Sequence, residues 1–347
     1  MRDWRDRDNG VGLVGRLGCH AGKGAHGINT IAVLFIQTPL WQCGAVNDGS
    51  KRAIYAAFGA NLGIAVSKFV GAAITGSAGL MAEAVHSAAD TGNQALLLIG
   101  GKRSERSPNA EFQFGFGRER YFWSFVVALV LFSMGGLFAF YEGVQKLLHP
   151  HESTNLGIAI GILVVAIALE TFSLRTAMKE ANHTKPKSMS WWRFIKTSKQ
   201  PELPVVLLED VGAEVGLLVA LAGVLTAHFT HDSRWDAAGS LTIGVLLIVI
   251  AAVLAIEMKG LLIGEAALPE QQELIERALQ DDARVRSIVH LRTMHLGPDE
   301  VLLAAKIEFT DTLSVAQLAQ AIDDAEVRAR SVVDATLRIY IEPDIRR

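Results

Sequence analysis

The chain has 347 residues, half of them hydrophobic, with 7% aromatic residues and 32 glycines. This mixture suits helices packed closely in lipid better than one soluble core. The net charge of -3 is too small to indicate a nucleic-acid partner, so the position of each charge matters more than the total. Both cysteines, Cys19 and Cys43, lie in the first fifty residues, which excludes a disulfide framework or a thiolate metal site elsewhere.

Residues 1–50 are predicted to be a disordered or mis-annotated N-terminal extension. The stretch from Met1 to Gly27 is rich in Gly, Arg and Asp and lacks apolar periodicity. The next stretch, INTIAVLFIQTPLW, is apolar but shorter than the roughly 20 residues that a spanning helix needs. A signal peptide is a poor match because no small-residue cleavage site follows directly. One hypothesis is that translation starts near Lys51.

Residues 51–264 contain apolar segments that can cross a hydrocarbon core of roughly 30 Å at about 1.5 Å per residue. These segments lie at about 53–75, 78–100, 121–143, 156–178, 205–229 and 237–260. The sequence therefore predicts an α-helical membrane protein with six transmembrane helices.

Basic residues concentrate in two of the connections between these segments. They are Lys102, Arg103, Arg106, Arg118 and Arg120 after the second segment, and Lys185, Lys187, Arg193, Lys196 and Lys199 after the fourth. The connections on the opposite side carry almost none apart from Arg234. Because cytoplasmic loops are enriched in Lys and Arg, both termini are predicted to be cytoplasmic. The polar loop at 182–204, with three prolines, is interpreted as a cytoplasmic linker.

Residues 265–347 have the composition of a soluble domain. A charged helix at about 269–281 precedes two alternating stretches, VRSIVHLRTMHL and VLLAAKIEF, which predict strands. Ser314 and Gln317 form a capping box that opens a second helix, and ATLRIYIE predicts a last strand. The order αββαβ indicates a small cytoplasmic α+β domain with two helices on one face of a three-stranded sheet.

Ionisable side chains lie inside two of the predicted spans. Such a residue costs on the order of 3 kcal/mol at the membrane centre, so it is kept mainly where it faces a wet cavity or a partner. His86 and Asp90 are four residues apart in the second span, and Asp210 and Glu214 have the same spacing in the fifth. Residues at i and i+4 share one helical face, so each helix presents two possible ligands. One imidazole and three carboxylates suit a tetrahedral divalent ion.

The two pairs are predicted to lie at one depth. Asp90 is about ten residues, or roughly 15 Å, from the cytoplasmic end of its helix, and Glu214 is about nine residues, or roughly 14 Å, from Val205. A lone histidine in a membrane helix can simply hydrogen-bond to a neighbouring helix. Two acid-containing pairs at matched depth favour the metal interpretation.

Other polar residues in the spans are given lesser roles. Glu83 and Glu209 are possible metal or pathway residues, although Glu209 points about 100° away from Asp210 on an ideal helix. Glu170 and Arg175 are interpreted as an internal ion pair or a positioning pair. The residues interpreted as interhelical polar contacts are Asn61, Lys68, Asn93 and Gln94.

The sequence resembles the cation diffusion facilitator (CDF) family of metal/proton antiporters. The features are GSAGLMAEAVHSAADTGNQ, FGFGRERYFWS, KEAN, DVGAE and LIGEAALPE, and the resemblance covers about residues 51–347. FGFGRER and IYIEPD look closest to the branch that includes relatives of the ninth human zinc transporter. The layout of six spans followed by a ferredoxin-like αββαβ domain is similar as well.

The resemblance implies a ligand set and an assembly. His86 and Asp90 take the first two ligand positions and Asp210 and Glu214 the second two, a pattern that resembles zinc-exporting members. Family members usually form homodimers through the C-terminal domain, so 265–347 is expected to serve dimerisation. A loop metal site is expected to be absent, because Phe116 stands where many members have a histidine.

These features predict a secondary active transporter in the membrane, not an enzyme, with 51–264 as its transport domain. Its cargo is a divalent cation, with Zn²⁺ first, exchanged for protons, and no prosthetic group or nucleic acid is expected. No Gly-rich Lys-Ser/Thr loop for phosphate is present in the sequence, which disfavours an ATP-driven pump. The alternatives are an exporter of Mn²⁺, Fe²⁺ or Co²⁺, or a non-transporting membrane scaffold or partner subunit. A bacterial inner or plasma membrane is the expected location.

Overall fold

The computed structural model describes the backbone of residues 48–150 and 156–344, and their side chains except at 48–61, 156, 180, 183 and 184. The predicted extension 1–50, apart from its last three residues, lies outside this part, as does the side chain of Asn61. The helices are α1 Asp48–Thr75, α2 Ala78–Ser104, α3 Glu119–Val130, α4 Phe138–Leu148, α5 Leu156–Thr184, α6 Trp191–Thr197, α7 Glu202–Thr230, α8 Arg234–Ile263, α9 Pro269–Gln280 and α10 Val315–Ser331. The strands are β1 Val285–Gly297, β2 Glu300–Phe309 and β3 Thr336–Asp344.

The chain is mostly helical, with apolar helices followed by a small sheet domain, as the sequence predicts. Within the described residues, three helices are long and apolar enough to cross a membrane: Glu119–Leu148, Gly157–Lys179 and Arg234–Ile263. A shorter apolar helical stretch covers Leu62–Thr75. The full set of six spans and the predicted domain boundaries stay predictions.

The third apolar segment is one helix with a π-helical turn at its centre. α3 passes through this turn, Leu131–Leu137, directly into α4. π-turns commonly occur at functional sites, and Gly135 in this turn lies against the imidazole of His86. The irregular turn therefore borders the first predicted ligand pair.

α4 and α8 approach each other closely through glycines. A Cβ atom built on Gly244 would lie 2.6 Å from the backbone nitrogen of Phe140. A Cβ on Gly143 would lie 2.8 Å from the backbone nitrogen of Leu241. Small residues at such contacts allow helix backbones to pack tightly in lipid, where association depends on close packing rather than on hydrophobic burial.

A buried ion pair joins α4 and α8 at the first turn of α2. Lys146 Nζ lies 2.9 Å from Asp236 Oδ2, and both side chains are 1% exposed. The Asp236 carboxylate also accepts hydrogen bonds from Ser77 Oγ at 3.0 Å and from the amide of Ala78 at 3.1 Å. Carboxylates stabilise the N-terminus of a helix, so this network fixes the end of α2 that precedes His86.

The linker at 182–204 contains a short helix that the sequence interpretation did not predict. α6 begins after Ser190, whose hydroxyl accepts a hydrogen bond from the Arg193 amide at 3.2 Å. Phe194 and Ile195 of α6 are buried. Packing of its apolar side, rather than helix propensity alone, accounts for a helix this short.

The C-terminal domain has the predicted order αββαβ. Its sheet has the strand order β1-β2-β3, with β1 and β2 antiparallel and β2 and β3 parallel. The domain contacts the segment that leads out of α8, since the His295 amide donates to the carbonyl of Glu265 at 2.8 Å. Arg120 at the start of α3 lies 2.5 Å from Glu202 and 3.6 Å from Asp299 in the β1–β2 turn. The sheet domain is therefore joined to the start of α3 by an ionic contact between Arg120 and Asp299.

Candidate metal site

Residues of helices α1, α2, α5 and α7 line a partly open cavity of about 80 Å³. Its polar lining consists of Ser87, Asp90, Gln94, Glu170, Ser173, Glu209 and Asp210. The rest of the wall is apolar and consists of Ile64, Leu169, Phe172 and Val206. Four carboxylates around one cavity between apolar helices are the arrangement expected where a cation enters a membrane bundle.

The first predicted pair lies together on α2. Nε2 of His86 is 3.5 Å from Oδ2 of Asp90, the separation expected for side chains one helical turn apart. The His86 side chain is fully buried, and Asp90 reaches the cavity. Among the described residues, neither ring nitrogen of His86 has a hydrogen-bond partner, and neither does Oδ1 of Asp90. Buried polar atoms are rarely left in this state, so these atoms have free capacity for a ligand.

The second predicted pair is held by hydroxyl groups of α5. Ser173 Oγ donates to Oδ2 of Asp210 at 3.2 Å, and Thr171 Oγ1 donates to Oε1 of Glu214 at 2.7 Å. Oε2 of Glu214 has no hydrogen-bond partner in the described part of the chain. Asp210 lines the cavity, whereas Glu214 is turned towards α5.

Two contacts give the register of α2 against α7. Glu83 packs against Gly216, and Asn93 Nδ2 donates to Oε1 of Glu209 at 2.7 Å. The two predicted ligand pairs lie between these contacts on their helices. The pairs therefore occupy similar levels of the bundle.

The four predicted ligands do not converge into one cluster. Across residues 48–150 and 156–344, no group of three or more His, Cys, Asp or Glu side chains is close enough to hold a metal ion. The structure brings His86 to Asp90 and places Asp90 and Asp210 around one cavity. His86 and Glu214 are not part of the cavity lining.

Glu209 lies closer to the site than the helical-wheel argument predicts. Its side chain lines the same cavity as Asp210 and is 6% exposed. An ideal helix places the two side chains about 100° apart, but both directions reach the cavity because it lies across the face of α7. Glu209 therefore stays a possible metal or pathway residue, as the sequence predicts.

Glu83 also lies on α2, one turn nearer than His86 to the start of the helix. Its side chain is fully buried, and its Oε2 is 3.5 Å from Nζ of Lys68 on α1. The structure thus places Glu83 beside the first pair and outside the cavity lining. Lys68 and Asn93 make the interhelical polar contacts that the sequence predicts.

Glu170 is the site residue that the sequence interpretation missed. The sequence analysis interprets Glu170 and Arg175 as an internal ion pair or a positioning pair. Among the described residues no ion pair joins them, and Arg175 is exposed. Glu170 instead lines the cavity, three residues before Ser173. An acidic residue and a hydroxyl residue at i and i+3 in an otherwise apolar span lie on one face of the helix. This spacing could have indicated that this face of α5 lines a polar site.

The two histidines of strand β1 in the C-terminal domain differ in solvent exposure. His290 is exposed, whereas His295 is 3% exposed, and the strand is regular between them. Side chains at an odd offset on a strand point to opposite faces. These two imidazoles therefore cannot bind one ion together within a single domain.

An apolar helical bundle with an acidic cavity inside it defines an integral membrane protein of the transporter class. The family model described as the cation efflux transmembrane domain matches residues 54–263. The chain belongs to this family of cation transporters, the CDF family, and its relatives include the branch of the ninth human zinc transporter.

Curated relatives support this assignment. The human "Proton-coupled zinc antiporter SLC30A9, mitochondrial" is 33% identical over 243 residues, which are 70% of this chain and 43% of that protein. "Metal tolerance protein C4" of Arabidopsis thaliana is 29% identical over 272 residues, covering 78% of this chain and 60% of the relative. "Zinc transporter ZitB" of Pectobacterium atrosepticum is 25% identical over 258 residues, covering 72% and 73%. The match to the human protein spans less than half of its length.

Proposed function

We propose that this protein exports a divalent cation, Zn²⁺ first, in exchange for protons. The observation that carries the proposal is the cavity between α1, α2, α5 and α7, where Asp90, Glu170, Glu209 and Asp210 face one another. A relative named as a proton-coupled zinc antiporter and another named as a zinc transporter support the choice of cargo.

His86, Asp90, Asp210 and Glu214 are the proposed ligands. Within the described residues, both ring nitrogens of His86 and Oδ1 of Asp90 have no hydrogen-bond partner, and Asp210 and Glu214 lie at a similar level on α7. A divalent ion drawn to Asp90 and Asp210 would compete with Ser173 and Thr171 for the carboxylates of α7. Loss of these neutral hydrogen bonds is offset by direct bonds between the carboxylates and the ion.

Proton exchange follows from the chemistry of the ligands. Imidazole and carboxylates bind a metal ion in their deprotonated forms, so metal binding releases protons and protonation releases the metal. Alternating access would then come from rocking of the helices around a site near the middle of the membrane.

The proposed topology has six spans with both termini in the cytoplasm. α1, α2 and α7 have 28, 27 and 29 residues, long enough to join the three apolar helices as spans. The basic residues of the α2–α3 and α5–α7 connections support the orientation. A plasma membrane is the proposed location, whereas the human relative is named as mitochondrial. A homodimer is proposed from the family resemblance.

Transport into everted membrane vesicles tests the proposal and its cargo. Vesicles that contain the protein should accumulate Zn²⁺ when the interior is acidic, and a protonophore should abolish the uptake. Competition by Mn²⁺, Fe²⁺ and Co²⁺ then ranks the cargo. Uptake of another ion in preference to Zn²⁺ would change the cargo, and absence of uptake for all four would favour the scaffold or partner-subunit alternative.

A further inference from the structure

α1 carries a buried lysine next to the proposed metal site. The Lys68 side chain is 1% exposed, and its Nζ donates to Oγ of Ser87 at 2.7 Å. Nζ also lies 3.5 Å from Oε2 of Glu83. A charged ammonium inside a membrane bundle is costly unless it is paired. The contacts of Lys68 with Ser87 and Glu83 therefore hold its charge beside α2.

Both partners of Lys68 lie on the face of α2 that carries the proposed ligands. Ser87 follows His86 directly and lines the cavity together with Asp90. Glu83, Ser87 and Asp90 are spaced by four and three residues, which places them in one row along the helix. The ammonium of Lys68 is therefore adjacent to the first ligand pair.

Glu83 is fixed between α1 and α7. Its side chain is fully buried, and Gly216 of α7 provides the space for its carboxylate. Within the described residues its oxygens accept no hydrogen bond, so the ion pair with Lys68 is the interaction that compensates its charge. Lys68 and Glu83 thus form a charge pair that the ligand set does not require.

We propose that Lys68 is an internal positive charge that weakens metal binding at the adjacent site and so allows the cation to be released. Glu83 moderates this effect by neutralising part of the charge. The inference rests on the proposed function and adds a residue that sets affinity without touching the cargo. An ion of charge +2 is repelled by an ammonium held on the neighbouring helix, and this repulsion is strong where water is scarce.

Titration with Zn²⁺ of the purified full-length protein and of four variants tests the inference. Lys68→Met should lower the Kd for Zn²⁺ by about tenfold or more, and Glu83→Gln should raise it by a similar factor. The double variant Lys68→Met/Glu83→Gln should give a Kd between those of the two single variants. Lys68→Arg keeps the charge and serves as the matched control.

A purely structural role for the pair predicts a different pattern. Both single variants would then weaken binding, because each leaves a buried partner without compensation, and this result would overturn the inference. Transport kinetics provide a second test. Because Lys68→Met should bind Zn²⁺ more tightly, both its maximal rate of Zn²⁺ transport and its KM should be lower than those of the wild type. If Lys68→Met does not yield folded protein, Lys68→Gln, which also removes the charge, decides in its place: a lower Kd supports the inference, and an unchanged or higher Kd contradicts it.

Zn²⁺ binding and transport by the wild-type protein distinguish a failure of this inference from a failure of the proposed function. Absence of Zn²⁺ binding and transport by the unmodified protein would refute the function itself. Wild-type transport combined with an unchanged Kd in Lys68→Met would refute only the role of Lys68.

Discussion

The carboxylates around the cavity differ in their hydrogen-bond partners. Asp90 keeps one oxygen without a partner in the described residues, whereas Asp210 accepts a hydrogen bond from Ser173 and Glu209 accepts one from Asn93. A cation that enters the cavity therefore meets an Asp90 oxygen that has no partner in the described part of the chain, and two carboxylates, Asp210 and Glu209, that neutral donors already hold. Neutral donors fix the geometry of a carboxylate without cancelling its charge, which preserves its attraction for the ion.

Replacement of Asp90 or Asp210 by Ala should abolish transport. Each change removes a proposed ligand, and the rate should fall by about 100-fold or more, because loss of even a supporting residue of a metal site costs 10- to 100-fold. Flux of Zn²⁺ into vesicles measures the effect, and expression level and size-exclusion profile check folding. Glu142→Ala on α4, outside the cavity lining, is the matched control. Wild-type flux in either variant would remove that residue from the ligand set.

Glu209→Gln should retain more transport than Asp210→Asn. The amide oxygen introduced at 209 can still accept the hydrogen bond from Asn93, so the packing between α2 and α7 is kept. The same isosteric change at 210 removes charge from a proposed ligand. Initial rates of Zn²⁺ uptake in the two variants compare the two roles. Equal losses would show that Glu209 belongs to the ligand set.

At the scale of elements, the contact between α4 and α8 depends on the absence of side chains. Gly244→Ala would place a methyl group against the backbone of Phe140, which cannot move without shifting the helix. We expect a loss of stability of about 1–3 kcal/mol, the range typical of overpacking. Thermal unfolding in detergent measures the change. Gly161→Ala on α5, where a Cβ meets no atom within 4 Å, is the control, and equal shifts in Tm would contradict the packing argument.

Strand β1 carries a pH-sensitive contact outside the membrane. Burial lowers the pKa of His295 below its ordinary value, and the nearby Lys199 ammonium adds to the effect. The imidazole therefore takes up a proton at a lower pH in the folded protein than in the unfolded chain, where a histidine titrates near about pH 6.5. Its stabilising contribution is complete above that pH and is lost as the pH falls.

Acidification from pH 7.5 to 5.5 should therefore lower the Tm of the wild type more than that of His295→Gln. The difference arises because the glutamine side chain has no proton to gain. Parallel thermal unfolding curves at several pH values supply the comparison. An identical dependence on pH in the two proteins would exclude this role for His295.

Across the whole molecule, the features that depend on local pattern were predictable from the sequence. Apolar segments and the order αββαβ follow from periodicity and capping residues that are close together in the chain. The features that were missed depend on which helices become neighbours. Lys146 and Asp236 are 90 residues apart, and Glu170 lines the cavity because α5 packs beside α7.

In the candidate site, too, some features follow from local sequence pattern and others depend on how the helices pack. The spacing of His86 and Asp90 fixes one pair on one helix, whatever the rest of the fold. The direction in which Glu214 points could not be derived from spacing, because it depends on the hydroxyl of Thr171 on another helix. Sequence therefore identifies the pairs, and packing decides how far they converge.

Simultaneous measurement of Zn²⁺ and proton fluxes in proteoliposomes tests the central claim most directly. The purified protein is reconstituted with a zinc-sensitive dye and a pH-sensitive dye inside the same vesicles. The account predicts that each influx of Zn²⁺ is accompanied by an efflux of protons, that an imposed pH gradient drives Zn²⁺ uphill, and that Asp90→Ala abolishes both fluxes. Uptake of Zn²⁺ with no counter-movement of protons, or coupled fluxes that persist in Asp90→Ala, would contradict it.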